Sequence, residues 1–210
     1  MVQKSKRGRP RGYDPDAALA AARDAFWDEG YAATSLDDLS ARMEMNRPSL
    51  YGAFGDKRAL YHLTLGRYRE ASRAGLTERL SYDLPLREAL QRVLRGALAV
   101  YLSGERGARG CYMIGPALAE ALNDLQVRGM LADSLDWLDE LFAARIAFAK
   151  AAGEIDASAE PAALGKLVTS MMHALAIRAR AGKSQAELEA MIAATLDLIC
   201  GKAEQAVVSR

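Results

Sequence analysis

The run Thr34-Ser35-Leu36-Asp37-Asp38-Leu39-Ser40-Ala41-Arg42-Met43-Glu44-Met45-Asn46-Arg47-Pro48-Ser49-Leu50-Tyr51-Gly52-Ala53-Phe54-Gly55-Asp56-Lys57 decides the fold class. Its opening hydroxyls can cap a helix, and the acidic first turn Asp37-Asp38 suits the positive end of the helix dipole. That helix is expected to stop near Met43. Three residues later Asn46 can cap a second helix beginning Arg47-Pro48-Ser49, where proline is tolerated because first-turn N–H groups have no helical partner. Gly55 ends it, and Asp56 caps a third helix that starts at Lys57-Arg58 and carries Leu60, Tyr61, Leu65 and Tyr68. Two short helices across a tight turn make a helix-turn-helix.

Outward from this run, helical periodicity continues and strand signals are nearly absent. Upstream, Asp14-Pro15 starts a helix with Ala18, Leu19, Ala22, Ala25 and Phe26 on one face. It runs to Gly30, where Tyr31 should close on Phe26 in a Schellman ending. Downstream, Pro85 opens a helix with Leu86, Leu90, Val93, Ala97 and Tyr101 in a stripe, and Gly104, Gly107 and Gly110 mark a loop. A short helix is expected over Cys111 to Ala121, interrupted by Gly115-Pro116. A long one follows from about Leu125 to Ala152, with Leu131, Leu135, Leu138, Phe142 and Ile146 spaced for burial. Residues 153–161 form a turn. The last two helices, residues 161–180 and 184–200, show Leu164, Leu167/Val168, Met171 and Leu175, then Leu188, Met191/Ile192, Thr195 and Leu198/Ile199. The expected fold class is all-α.

Composition narrows the classes of function. With 210 residues, half of them apolar, the chain can bury a sizeable core. The longest uncharged run, Leu167 to Ile177, is 11 residues, against roughly 18 for a membrane span. The basic start lacks the apolar stretch of a secretory signal. Cys111 and Cys200 make neither a disulfide framework nor a zinc cluster, so a cytoplasmic protein without metal or cofactor is expected. The near-neutral total hides an asymmetry. Residues 1–12 hold five bases (Lys4, Lys6, Arg7, Arg9 and Arg11) and no acid, leaving 23 bases against 27 acids in the remainder. A basic arm on a mildly acidic body points to a polyanion met at one end, although a solubilising tail would read the same way. Gly8-Arg9-Pro10-Arg11-Gly12 cannot hold a helix, so the arm is expected to be disordered when free.

The helix beginning at Arg47 is about eight residues at roughly 1.5 Å each, close to the ~12 Å width of the major groove. Its N-terminus offers N–H groups to phosphate, and Arg47 lies where it could reach a base or the backbone. Ser35 opens the preceding helix in the same way, Lys57 adds a phosphate contact, and the arm with Arg9 and Arg11 could enter a neighbouring minor groove. Each piece has a plainer explanation. Two-helix corners are common in helical proteins that never touch DNA. Tyr51 and Phe54 sit at core spacing, though Tyr51 could pack its ring and still place its hydroxyl on phosphate.

From Gly30 to Leu60, the Gly30-Tyr31 pair, Leu50-Tyr51, Phe54 and Lys57 fall at the positions that mark the DNA-binding domain of the TetR/AcrR family of bacterial regulators, which this chain resembles over about its first 65 residues. Arg109-Gly110-Cys111-Tyr112-Met113-Ile114-Gly115-Pro116 is similar to a Gly-Cys stretch opening the sixth helix in one branch of that family. The resemblance implies an all-helical homodimer: a basic arm (1–12), a helix-turn-helix domain (13–56), a connecting helix (57–80) and a ligand-binding and dimerisation domain (81–205). It carries DNA contact onto Ser35, Asn46, Arg47, Pro48, Ser49, Tyr51 and Lys57. Ser49 and Gly52-Ala53 depart from the family's usual residues, which leaves the operator sequence open.

A symmetric pair of reading helices calls for a partly palindromic duplex operator. The last two helices are expected to pair with their copies in a four-helix interface, unless their Leu/Met/Ile stripes serve the chain's own core. A small-molecule effector is expected among the fifth to eighth helices, acting by preferring one of two arrangements. Tyr101, Cys111, Tyr112, Met113, Trp137, Met171 and His173 are candidate lining, and ordinary burial explains each as well. Near Arg106, Arg109 and a helix start, Cys111 could have a lowered pKa and sense oxidants or electrophiles. It could equally be a small buried apolar residue. No enzyme signature is present: no P-loop, no Gly-x-Gly-x-x-Gly after a strand, no Cys-x-x-Cys, and His62 lies far from His173. A non-specific DNA-coating protein would need basic charge spread over the body.

Overall fold

The computed structural model describes residues 13–104 and 107–202. The basic arm with Arg9 and Arg11, and Arg106, lie outside the described residues. Within them the chain is all-α, with helices α1 (Pro15–Glu29), α2 (Leu36–Arg42), α3 (Arg47–Phe54), α4 (Lys57–Arg79), α5 (Leu86–Leu102), α6 (Leu118–Glu120), α7 (Leu125–Ala151), α8 (Pro161–Arg180) and α9 (Gln185–Cys200). No helix among them is long and apolar enough to cross a membrane. The described residues divide into two compact units, with the boundary between Thr64 and Leu65.

In the first unit the expected helix starts are realised. Asp14 accepts from the Asp16 N–H at 2.9 Å, Asn46 from the Ser49 N–H at 2.9 Å and Asp56 from the Ala59 N–H at 2.8 Å. Ser35 and Asp38 form a reciprocal capping box. At the end of α1 the rings of Phe26 and Tyr31 stack with centroids 6.0 Å apart, as expected. The ending is not a Schellman motif, because Gly30 takes ψ 163°, extended rather than left-handed helical. Buried Thr34 closes the turn instead, its hydroxyl donating to the Gly30 carbonyl at 2.7 Å.

Between α2 and α3, Glu44 is held at φ 52°, in the left-handed region. For a residue with a Cβ that conformation costs about 1–2 kcal/mol. Glu44→Gly is therefore expected to raise the stability of the full chain by up to about 1 kcal/mol in urea denaturation, the loss of strain exceeding glycine's greater freedom when unfolded. A lower midpoint would show that the turn is not strained.

The second unit is built around α5, α7, α8 and α9, which close on Leu90, Leu94, Phe142, Val168, Leu175, Leu188, Ile192 and Leu196. Here two sequence expectations are corrected. The Cys111–Ala121 stretch is not one interrupted helix: Cys111 precedes a π-helical turn, Met113–Ala117, which runs into α6. Pro116 has no N–H to offer the Tyr112 carbonyl, so the Ala117 N–H reaches back five residues to it at 3.2 Å, and the widened turn absorbs the proline. Second, the Leu/Met/Ile stripes of α8 and α9 are chiefly the chain's own core. Val168, Leu175, Leu188, Ile192 and Ile199 are buried, with Leu164, Met171 and Met191 packed against them. Two members of those stripes, Leu167 and Leu198, are left outside. Leu167 (59%) and Ile177 (57%) on α8 and Leu198 (86%) on α9 are exposed, as are Ala186, Ala190, Ala193 and Ala194.

Two glycines mark close approaches. Gly110 sits at φ 65°, and a Cβ there would lie 2.8 Å from the Ala176 carbonyl oxygen. At Gly165 a Cβ would lie 2.8 Å from both the Ala143 nitrogen and the Asp139 oxygen, so α8 meets α7 backbone to backbone.

Candidate nucleic-acid interface and effector cavity

An eight-residue helix is too short to be stable alone in water, and α3 is held by two anchors. Leu50 and Phe54 are buried, and the Phe54 ring meets Tyr13 edge-on with centroids 6.1 Å apart. Everything else on the helix faces outward: Arg47, Pro48, Ser49, Tyr51, Gly52 and Ala53 are exposed, together with the capping Asn46. Tyr51 is 46% exposed, which corrects the expectation of a packed ring. About half of the side chain is open to a partner.

The remaining expected contacts carry local obligations. The Ser35 hydroxyl donates to Asp38 Oδ2 at 2.5 Å and accepts from the Asp38 N–H at 3.1 Å. The hydroxyl first, and the Ser35 N–H second, hold the Asp38 carboxyl below its ordinary pKa. Lys57 Nζ lies 4.4 Å from the centroid of the Tyr31 ring, a cation–π contact. Arg47 is paired with Asp37: Nε donates to Oδ1 at 3.0 Å and Nη2 approaches Oδ2 at 2.6 Å. The carboxylate bond, then its charge, raises the guanidinium pKa. Sequence reasoning missed this partner and read Asp37 only as a dipole-matching residue. The available signal was an acid and a base ten positions apart on either side of one tight turn.

In the second unit a cavity of about 360 Å³ is lined by Gly110, Cys111, Ile114, Gly115, Ala176, Ile177, Arg180 and Ala181. Of the seven residues named from sequence as candidate effector contacts, Cys111 alone lines it. Tyr101, Tyr112 and Met113 are buried. Trp137 and Met171 pack on the core, and the Trp137 ring also faces the Arg73 guanidinium at 5.0 Å. His173 is half-buried, and burial lowers its pKa against the opposing pull of Asp139. The sequence missed Arg180, whose Nη1 donates to the Arg109 carbonyl at 2.9 Å.

Cys111 does not have the lowered pKa expected from its basic neighbours. Burial raises the thiol, outweighing hydrogen bonds from the Tyr68 hydroxyl and the Ile114 and Met113 N–H groups. The Tyr68 oxygen lies 3.5 Å from Sγ. Among the described residues no group of three or more His, Cys, Asp or Glu side chains could hold a metal ion.

Residues 18–63 match the model of the bacterial regulatory proteins of the tetR family. Over 201 residues the chain is 29% identical to the HTH-type transcriptional repressor ComR of Escherichia coli, covering 93% of each. A second Escherichia coli protein, the HTH-type transcriptional repressor BdcR, is 36% identical over 116 residues, 54% of this chain and 58% of BdcR. Among solved structures, a cysteine mutant of the TetR family transcriptional regulator CifR, in complex with 26-bp double-strand operator DNA, is 30% identical. That match covers 90% of this chain and 98% of CifR, with a TM-score of 0.80. The chain belongs to the TetR family. Its biochemical class is accordingly a DNA-binding transcriptional regulator and not an enzyme, and the α2–α3 pair is the family's helix-turn-helix.

Proposed function

We propose that the protein is a cytoplasmic repressor that binds a partly palindromic operator as a homodimer and is released by a small-molecule effector. The observation that carries this reading is the outward face of α3, where Asn46, Arg47, Pro48, Ser49 and Tyr51 all stand exposed over the Leu50 and Phe54 anchors. Ser35 and Lys57 flank that face, and Arg9 and Arg11 would add ionic contacts from the arm. In this reading residues 13–56 read DNA, α4 connects from residue 57, and the part from residue 81 binds effector and dimerises.

The dimer face is assigned to the row left outside the core: Leu167 on α8 and Leu198 with the alanines of α9. Apolar residues exposed at helical spacing are costly unless covered, and paired copies of two helices form a four-helix interface. The effector site is assigned to the cavity at Cys111 and Arg180. Tyr101, Tyr112, Met113, Trp137, Met171 and His173 would act behind it, by packing. An effector works only through its preference for one of two arrangements of the chain. A second reading, sensing of electrophiles through Cys111, is supported by the thiol's place on the cavity wall. Its raised pKa keeps it protonated at neutral pH, and this favours non-covalent binding as the primary mode.

Arg47→Ala tests the reading face. Binding to the duplex that the full chain selects from a randomised library should weaken by about 5- to 150-fold, the range for loss of one bidentate base contact. Sedimentation should show the oligomeric state unchanged. Unaltered affinity would place the reading surface elsewhere. Binding that falls steeply with salt and selects no sequence would make the chain a non-specific DNA-coating protein.

A further inference from the structure

We infer that Asp37 is a positioning residue for sequence recognition, buttressing Arg47 so that its free edge reads a guanine in the major groove. The inference rests on the reading of α3 as the DNA-contacting helix and adds to it a base identity and a second residue.

A guanidinium has five N–H donors in a rigid plane, arranged as two forks. Asp37 occupies the fork formed by Nε and Nη2, at 3.0 and 2.6 Å. Nη1 takes part in neither contact, so the fork formed by Nη1 and Nη2 remains. That fork matches the O6 and N7 acceptors of guanine, the base that arginine contacts most often in a bidentate manner. Arg47 stands at the first position of α3, and the N-terminal residues of a reading helix are those that meet base edges.

The charges point the same way. An exposed arginine tied to a carboxylate is a poor phosphate ligand, because the neighbouring Asp37 repels the same phosphate that the guanidinium would attract. A base edge carries no net charge and meets no such repulsion. Asp37 therefore reduces the sequence-independent share of binding and leaves the guanine contact intact. It also fixes the side chain before DNA arrives, so less rotamer freedom is lost on docking. A surface ion pair of this kind contributes little to folding, which leaves recognition as its main effect. The capping Ser35 is already bonded to Asp38, so Asp37 is spared for Arg47.

The test uses the full chain. A randomised duplex library is selected with the wild-type protein, and the preferred half-site is then remade with 7-deazaguanine at each guanine in turn. One position should lose about tenfold or more in affinity in the wild type, as expected when a bidentate contact is reduced to a single bond. At that position Asp37→Ala should be nearly indifferent to the analogue, should accept other bases, and should bind unrelated duplex more tightly than wild type does. Asp37→Asn, which keeps one acceptor oxygen, should fall between. Circular dichroism melts of both variants should stay within about 4 °C of wild type, the cost of one charge lost from the first turn of α2.

If Asp37→Ala keeps the full guanine preference while Arg47→Ala loses it, the buttress is overturned. It is overturned equally if Asp37→Ala binds the selected site more tightly and with undiminished discrimination, since Asp37 would then merely compete for Arg47. Failure of the wild-type chain to select any sequence would overturn the DNA-reading assignment itself, a distinguishable result.

Discussion

Arg145→Ala should destabilise the protein by about 3–5 kcal/mol, the range for breaking a buried charged network by removing one partner. Arg145 has no exposed surface. Its Nε donates to the Ser81 carbonyl at 3.2 Å and its Nη2 to the Leu84 carbonyl at 2.6 Å, with Glu154 Oε1 3.9 Å away. The guanidinium carbon lies 5.4 and 5.5 Å from the ring centroids of Tyr82 and Phe148. Glu154 in turn accepts the Leu86 N–H at 2.5 Å, capping α5 where Pro85 cannot. One buried side chain thus holds the connector between α4 and α5 and, through Glu154, the first turn of α5. Its removal leaves two carbonyls without their donor and a cavity the size of a large side chain. For a chain of this length the loss corresponds to a fall in Tm of roughly 10 °C. Arg145→Met, which fills the volume without replacing the donors, should recover part of it. A thermal melt of Arg145→Ala within about 1 °C of wild type would show that the connector is held by other means.

The second large effect concerns assembly. Replacing Leu167 and Leu198 together by Asp should convert the protein to a monomer and weaken operator binding by about 10²–10⁴-fold, the advantage lost when two linked reading units become one. Neither side chain supports the chain's own core, since they are 59% and 86% exposed, so the melting curve of the monomer should keep its cooperative shape. Sedimentation velocity and anisotropy on a two-half-site duplex read the two consequences separately. A double variant that remains dimeric would move the interface off the outer faces of α8 and α9. A monomeric variant with full operator affinity would remove the need for a symmetric pair.

Much of this was legible in the sequence because the deciding signals are local. Asn46, Asp56, Asp14 and the Ser35/Asp38 box set helix starts by bonds spanning two or three residues, and the structure reproduces them. The signals that misled were those whose outcome depends on distant chain. The apolar rows of α8 and α9 carry the same periodicity whether they bury inward or outward, and contact with α5 and α7 decided which positions became core. Cys111 sits beside arginines in the sequence, yet its pKa follows its burial. The Arg47–Asp37 pair joins two helices, and its one sign in the sequence was an acid and a base ten positions apart across a tight turn. The sequence of α7 alone does not single out Arg145, because nothing in it announces the carbonyls of Ser81 and Leu84.

The contact at Gly165 has a consequence for how the molecule can respond to what it binds. Two helices whose main chains touch cannot ratchet past one another without steric collision, and any larger residue at that seam would prise them apart. The α7–α8 pair therefore behaves as a stiff keel. An occupant of the hollow lined by Ile114, Gly115, Ala176 and Arg180 would meet α8 on one wall and the widened Met113–Ala117 turn on another, and the turn, not the α7–α8 seam, would have to accommodate it.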